Sequence, residues 1–160
     1  MLNDCGDNPD KYGFENISDY NQFCTSVPVS TYEDLFPYIE KMLDGQADIL
    51  WSGVVKFFSK SSGTTNDVSK YIPVSDAALH KNNYKAGKDL YTIFFESYPN
   101  SNLFQNQGST LSLGGSLANK NEKGIVIGDV SAIMMSQLPG WAAQYREPSL
   151  DVALMSQWQE

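Results

Sequence analysis

Two short apolar runs enclose a stretch of small polar residues, and that arrangement constrains the fold more than any other feature. Val54, Val55, Phe57 and Phe58 are β-branched or aromatic and predict a strand. Lys70-Tyr71-Ile72-Pro73-Val74 predicts a second. Between them lies Ser59-Lys60-Ser61-Ser62-Gly63-Thr64-Thr65-Asn66-Asp67, rich in hydroxyls and with one glycine. The implied shape is strand, polar loop, strand.

Periodicity and caps predict the helices around it. Ser30 and Glu33 have capping-box spacing. Leu35, Phe36, Ile39, Met42 and Leu43 follow at helical intervals. Asp44-Gly45 ends this helix, with Gly45 suited to a left-handed C′ position. Pro37 lacks an amide donor and predicts a kink or restart inside it. Ser75 is the expected N-cap of the longest helix, Asp76 to about Ser97, with an apolar side of Leu79, Tyr84, Leu90, Tyr91, Phe94 and Phe95. Gly87 at its middle costs about 1 kcal/mol relative to alanine, so close packing on a neighbour is expected there. Shorter elements are predicted as helix over 18–23, strand over 111–113 breaking at Gly114-Gly115, strand over 124–128, and helices over 131–138 and 149–159. The expected class is α/β, a mixed sheet with flanking helices.

The net charge of −8, with the basic cluster Lys81 to Lys88 diluted by neutral residues, carries no basic stripe for nucleic acid. One histidine, His80, and two cysteines, Cys5 and Cys24, exclude zinc fingers, multi-histidine metal sites and disulfide scaffolds. No apolar run approaches the roughly 20 residues of a membrane span, and the N-terminus is no signal peptide, so a cytoplasmic protein is expected. Gly87-Lys88 is followed by Asp89, which excludes a Walker A loop. Gly114-Gly115 lacks the third glycine of a dinucleotide fingerprint. The loop itself leaves two readings open. Its glycine lets amides converge on an anion and its hydroxyls donate to phosphate oxygens; the same residues also make an ordinary hairpin turn.

The residues from Phe58 through Ser61-Ser62-Gly63-Thr64-Thr65 to Lys70-Tyr71-Ile72-Pro73-Val74-Ser75 resemble the first nucleotide motif of the Gretchen Hagen family. These are the auxin-responsive acyl-acid amido synthetases of the adenylate-forming superfamily. The run from Val27-Pro28-Val29 to Glu40 is similar to the segment before that motif, and Tyr12-Gly13-Phe14 to an earlier element. Leu111–Ser116 and Ile127–Ser131 look like the family's bacterial branch. The resemblance implies a two-step ligase. ATP and a carboxylic acid give an acyl-adenylate, and an amino acid's amine then displaces AMP. It also implies Mg2+ on the phosphates and small acid and amino acid substrates; charge and hydropathy, as above, predict no nucleic-acid or membrane partner. Carried over, Ser61, Ser62, Gly63, Thr64 and Thr65 hold the ATP phosphates, with Asn66 and Lys70 beside them. The long helix and Leu113, Gly114, Gly115 and Ser116 border the acyl pocket. No catalytic residue and no metal ligand is assigned.

Family members are several times longer. Their later motifs and a catalytic lysine on a small C-terminal domain are not found here; Tyr145-Arg146-Glu147-Pro148 shares only two letters with the third motif. Residues 1–160 are thus expected to be part of the large N-terminal domain, lacking the remainder of its own chain and inactive alone. The alternative is a non-catalytic binding module or truncated pseudogene product that keeps the scaffold.

Overall fold

A computed structural model describes residues 13–61, 69–103, 108–117 and 120–155. After a 3-10 turn at Phe14–Asn16, α1 spans Tyr20–Ser26 and α2 spans Tyr32–Leu43. The central sheet has the order β2-β1-β4. β2 (Tyr71–Val74) runs antiparallel to β1 (Phe57–Lys60), and β4 (Val126–Gly128) runs parallel to it. A π-helical stretch, Ala78–Asn83, leads directly into α3 (Tyr84–Ser97). β3 (Thr110–Leu111) pairs in parallel with β5 (Arg146–Glu147). Three short helices complete the described residues: α4 (Val130–Ser136), α5 (Gly140–Ala143) and α6 (Leu150–Ala153). The expected mixed sheet with flanking helices is the architecture found.

Successive strand residues face opposite sides of a sheet, and β1 divides the core on that rule. Phe58 is fully buried with Ile39 and Met42 of α2, Val55 and Ile125. Phe57, one residue earlier, packs on the other face with Val74, Leu79 and Ile133. So α2 covers one face, and the π-helical stretch and α4 cover the other. Pro73 lies opposite Phe58 on the edge strand β2, the position where a residue without an amide does least harm.

Several expectations shift. The cap of α2 is Thr31, whose Oγ1 accepts from the Asp34 amide at 3.3 Å while the Asp34 carboxylate accepts from the Thr31 amide at 2.8 Å. Ser30/Glu33 and Thr31/Asp34 are overlapping boxes one residue apart, and spacing alone does not rank them. The helix runs through Pro37 without a restart. Gly45 takes the expected left-handed conformation, with φ 83°. β1 starts at Phe57, not Val54, because its ladder is set by its partner: Phe57 pairs with Val74 and Lys60 with Tyr71. A Cβ at Gly87 would meet nothing within 4 Å, so close packing is not its role. On α3, Leu90 and Ile93 are 66% and 62% exposed; the buried apolar contact of this run is Leu79. The last described helix closes at Leu154; residues 156–160 lie outside the described set.

Hydrogen bonds to Thr31, first from its backbone and then from its side chain, hold the Asp34 carboxyl below its ordinary value. A lowered carboxyl stabilises the fold above the unfolded-state value and loses that contribution as pH falls through the folded one. Thr31→Ala removes the cap oxygen that accepts from the Asp34 amide, and replacing an N-cap in this way is expected to lower unfolding free energy by about 1 kcal/mol at neutral pH in urea titrations. The difference from wild type should shrink on acidification below the ordinary carboxylate range.

Candidate functional site

The polar loop leaves the carboxyl end of β1, and its mouth is closed by backbone. The Ser61 amide donates to the Lys70 carbonyl at 2.9 Å, and the Lys70 amide donates to the Ser61 hydroxyl at 3.3 Å. α2 braces the other strand, because the Tyr32 hydroxyl accepts from the Tyr71 amide at 2.9 Å. Lys70 rests its ammonium 4.9 Å over the Tyr32 ring and 3.9 Å from a Glu33 carboxylate oxygen. Both charged side chains are substantially exposed (47% and 75%), so the ion pair is weak and leaves the lysine available to a stronger anion. Ser62, Gly63, Thr64, Thr65 and Asn66 lie outside the described residues.

The second candidate stretch is brought to the same end of the sheet. Ser59 pairs with Gly128 in the parallel ladder, and Leu117 bridges Gly128 from the other side. Just past that point the Asp129 amide donates to the Ser116 carbonyl at 3.1 Å. The Asp129 carboxylate accepts from the Ser116 amide at 2.9 Å, and the Ser131 hydroxyl accepts from the Gly115 amide at 3.2 Å. Gly115 is needed for space, since a Cβ there would fall 1.8 Å from an Asp129 carboxylate oxygen; one on Gly114 would meet the terminal methyl of the flexible Met135, which can move aside. What approaches this backbone so closely is protein.

A cavity of about 280 Å3 lies between α3, β3, α4 and α5. Its apolar walls include Tyr84, Tyr91, Met134, Leu138 and Trp141, and its polar wall includes Lys88, Thr110, Ser112 and Arg146. The long helix does border this space. Leu113, Gly114, Gly115 and Ser116 are not among its lining residues; their neighbour Ser112 is. Gly87 is among its lining residues, and a Cβ there would meet nothing within 4 Å. The Tyr84 hydroxyl donates to the Met134 carbonyl at 2.8 Å, which ties α3 to α4 across the cavity wall. Burial pushes its phenol pKa up, which keeps that donor protonated.

His80 stacks edge-on against Tyr84 at 5.3 Å and lines a different depression with Trp51 and Lys56. Among the described residues no cluster of three His, Cys, Asp or Glu is placed to hold a metal ion. Cys24 is exposed and free; Cys5 and Trp158 lie outside the described residues. No helix of the described residues is long and apolar enough to cross a membrane. Arg146 has no site role in the sequence reading; its one signal there is Tyr145-Arg146, the two letters shared with the family's third motif.

Comparison with known proteins bears on this arrangement. The sequence model described as the GH3 family N-terminal domain matches residues 9–160. The chain is 36% identical over 69 residues to the jasmonoyl–L-amino acid synthetase JAR6 of Nicotiana attenuata, covering 42% of this chain and 12% of that one. It is 33% identical over 104 residues to the probable indole-3-acetic acid-amido synthetase GH3.2 of Oryza sativa subsp. japonica, covering 54% of this chain and 17% of that one. Among solved structures, the GH3.15 acyl acid amido synthetase superposes with a TM-score of 0.59 at 20% identity, over 87% of this chain and 23% of that one. This chain thus spans a small part of the length of the relatives it matches.

Proposed function

The chain belongs to the GH3 family through its N-terminal domain, and from that premise we propose that the protein carrying it joins a carboxylic acid to an amino acid in an ATP-dependent reaction. Residues 1–160 then form part of its large nucleotide-binding domain. The relatives named above are acid–amino acid synthetases, which supports the reaction class. The observation that carries the reading is the placement of the loop. It springs from the carboxyl end of β1, beside the carboxyl end of the parallel strand β4. In open α/β sheets ligands gather at that end.

The described residues that bear on ATP fit an anion. Ser61 offers a hydroxyl, Lys70 a cation held by a weak exposed pair and the face of Tyr32, and both sit at the mouth of the loop. Ser62, Gly63, Thr64, Thr65 and Asn66 are assigned to the phosphates on the motif they share with the family. Carboxylate attack on the α-phosphate builds charge on phosphate oxygens, and preorganised amides and hydroxyls are suited to stabilise it. Mg2+ carried by the nucleotide supplies further charge neutralisation. The clamp of Asp129 and Ser131 on Gly115-Ser116 fixes the backbone at the same end of the sheet.

The natural polypeptide carrying this chain is expected to catalyse pyrophosphate exchange into ATP only when a carboxylic acid is present. Thr64→Ala is expected to reduce that exchange about 100-fold, the usual consequence of removing one donor to a developing oxyanion. ATP binding by equilibrium dialysis without any acid-dependent exchange would instead favour a non-catalytic binding module.

A further inference from the structure

Tyr32 touches the exit of the polar loop twice. Its hydroxyl accepts from the Tyr71 amide at 2.9 Å, and its ring lies under the Lys70 ammonium, 4.9 Å from the ring centroid. The first contact holds backbone and the second holds a charge. Both fall on the arm that leaves the loop. The arm that enters it is tied to the same place, since the Ser61 amide donates to the Lys70 carbonyl at 2.9 Å. Both ends of the loop are thus referred to one tyrosine on α2.

That tyrosine is itself held in place. It is the first residue of α2, directly after the Thr31 cap, whose exchange of bonds with Asp34 fixes the turn. Its ring lies 5.8 Å from the Phe36 ring one turn on. It packs against the buried cluster of Ile39, Met42 and Phe58, and Phe58 belongs to the strand that enters the loop. In sequence, 39 positions separate Tyr32 from Tyr71, so the contact is made by the fold alone. An aromatic face attracts an ammonium through its quadrupole and leaves donor hydrogens free for an anion. From these observations we infer that Tyr32 is a positioning residue for the phosphates of ATP: it sets where the loop's exit and the Lys70 ammonium stand. The inference rests on the proposed ATP-dependent reaction for the identity of the anion.

The test uses the natural polypeptide carrying this chain, with Mg2+–ATP as the probe. Equilibrium dialysis gives Kd, and acid-dependent pyrophosphate exchange gives KM and kcat. Tyr32→Phe keeps the ring and removes the acceptor, so ATP binding should weaken about twofold. Tyr32→Leu removes both contacts and should weaken it about fivefold or more. Its KM for ATP should rise with kcat within about twofold of wild type, the pattern of a lost binding contact. In a Lys70→Gln background the ring has no cation to hold, so Tyr32→Leu should then cost no more than Tyr32→Phe. A tyrosine that only supports the core would give the same Tyr32→Leu effect in both backgrounds, and that result overturns the assignment. So does ATP binding at wild-type strength in Tyr32→Leu. If Tyr32→Leu does not fold, Tyr32→Phe decides: weaker ATP binding bears the assignment out, and unchanged binding overturns it. A wild type that binds no ATP overturns both the assignment and the proposed reaction. ATP binding with the expected pattern of variants but no exchange defeats the reaction and leaves the Tyr32 assignment standing.

Discussion

Phe58→Ala is expected to lower unfolding free energy by about 3–5 kcal/mol, the range for removing a buried aromatic side chain. Phe58 is fully buried on the middle strand, and its ring joins α2 to the sheet through Ile39, Met42 and Ile125. β1 is paired on both sides, to β2 and to β4, so its neighbours cannot collapse into the space without disturbing two ladders. The expected loss is a large share of the roughly 5–15 kcal/mol that holds a typical domain together. Urea unfolding followed by tryptophan fluorescence checks it, with Ile72→Ala as the comparison. Ile72 lies on the adjoining strand and is 51% exposed, so its loss should cost much less. A Phe58→Ala effect below about 1 kcal/mol, the level of a partly exposed site, would remove Phe58 from the centre of the core.

Gly115→Ala is the second large effect. The new methyl would occupy the place of the Asp129 carboxylate, with its Oδ2, Cγ and Cβ at 1.8, 2.4 and 2.7 Å. Asp129 would have to swing away, and the Ser116 amide would lose its acceptor. Overpacking of this kind costs about 1–3 kcal/mol. The neighbour that must yield here is a short side chain whose Cβ is itself in the way, which places the expected value at the upper end. Thermal unfolding measures the cost, and amide hydrogen exchange at Ser116 reports the broken bond. Asp129→Gly, which removes the Cβ as well as the carboxylate, should largely rescue Gly115→Ala, since it clears all three contacts. Two losses that simply add would contradict the geometry.

The sequence made the local signals legible. β-branched and aromatic residues around 54–58 and 70–74 marked the hairpin, and Asp44-Gly45 marked the end of α2, because both depend on neighbours a few residues away. Errors of register were small and had local rivals: Thr31/Asp34 is as good a box as Ser30/Glu33. What stayed hidden depends on distant partners. Gly87 and Gly115 are both glycines in the text. Only the fold puts Asp129 against one and open space beside the other. Arg146 shares a cavity wall with Tyr84 and Tyr91 of α3, which lie far from it in sequence. The polar loop shows the reverse: the resemblance proposes its residues, while the described structure contributes its mouth at Ser61 and Lys70 and its position at the end of β1.

The edge strand β2 bears on how this chain behaves in company. Antiparallel pairs alternate between bonded and non-bonded positions. The bond from the Ser61 amide to the Lys70 carbonyl marks that pair as bonded. Tyr71 and Pro73 therefore turn their backbone nitrogens away from β1. Tyr71 spends its hydrogen on the Tyr32 hydroxyl, and Pro73 has none to give. A free sheet edge is ordinarily a template on which another chain can add a strand. Here both outward nitrogens are silenced, one by a tyrosine from α2 and one by an imino acid. An added strand would find no amide donor at either position, which disfavours edge-to-edge pairing on that side.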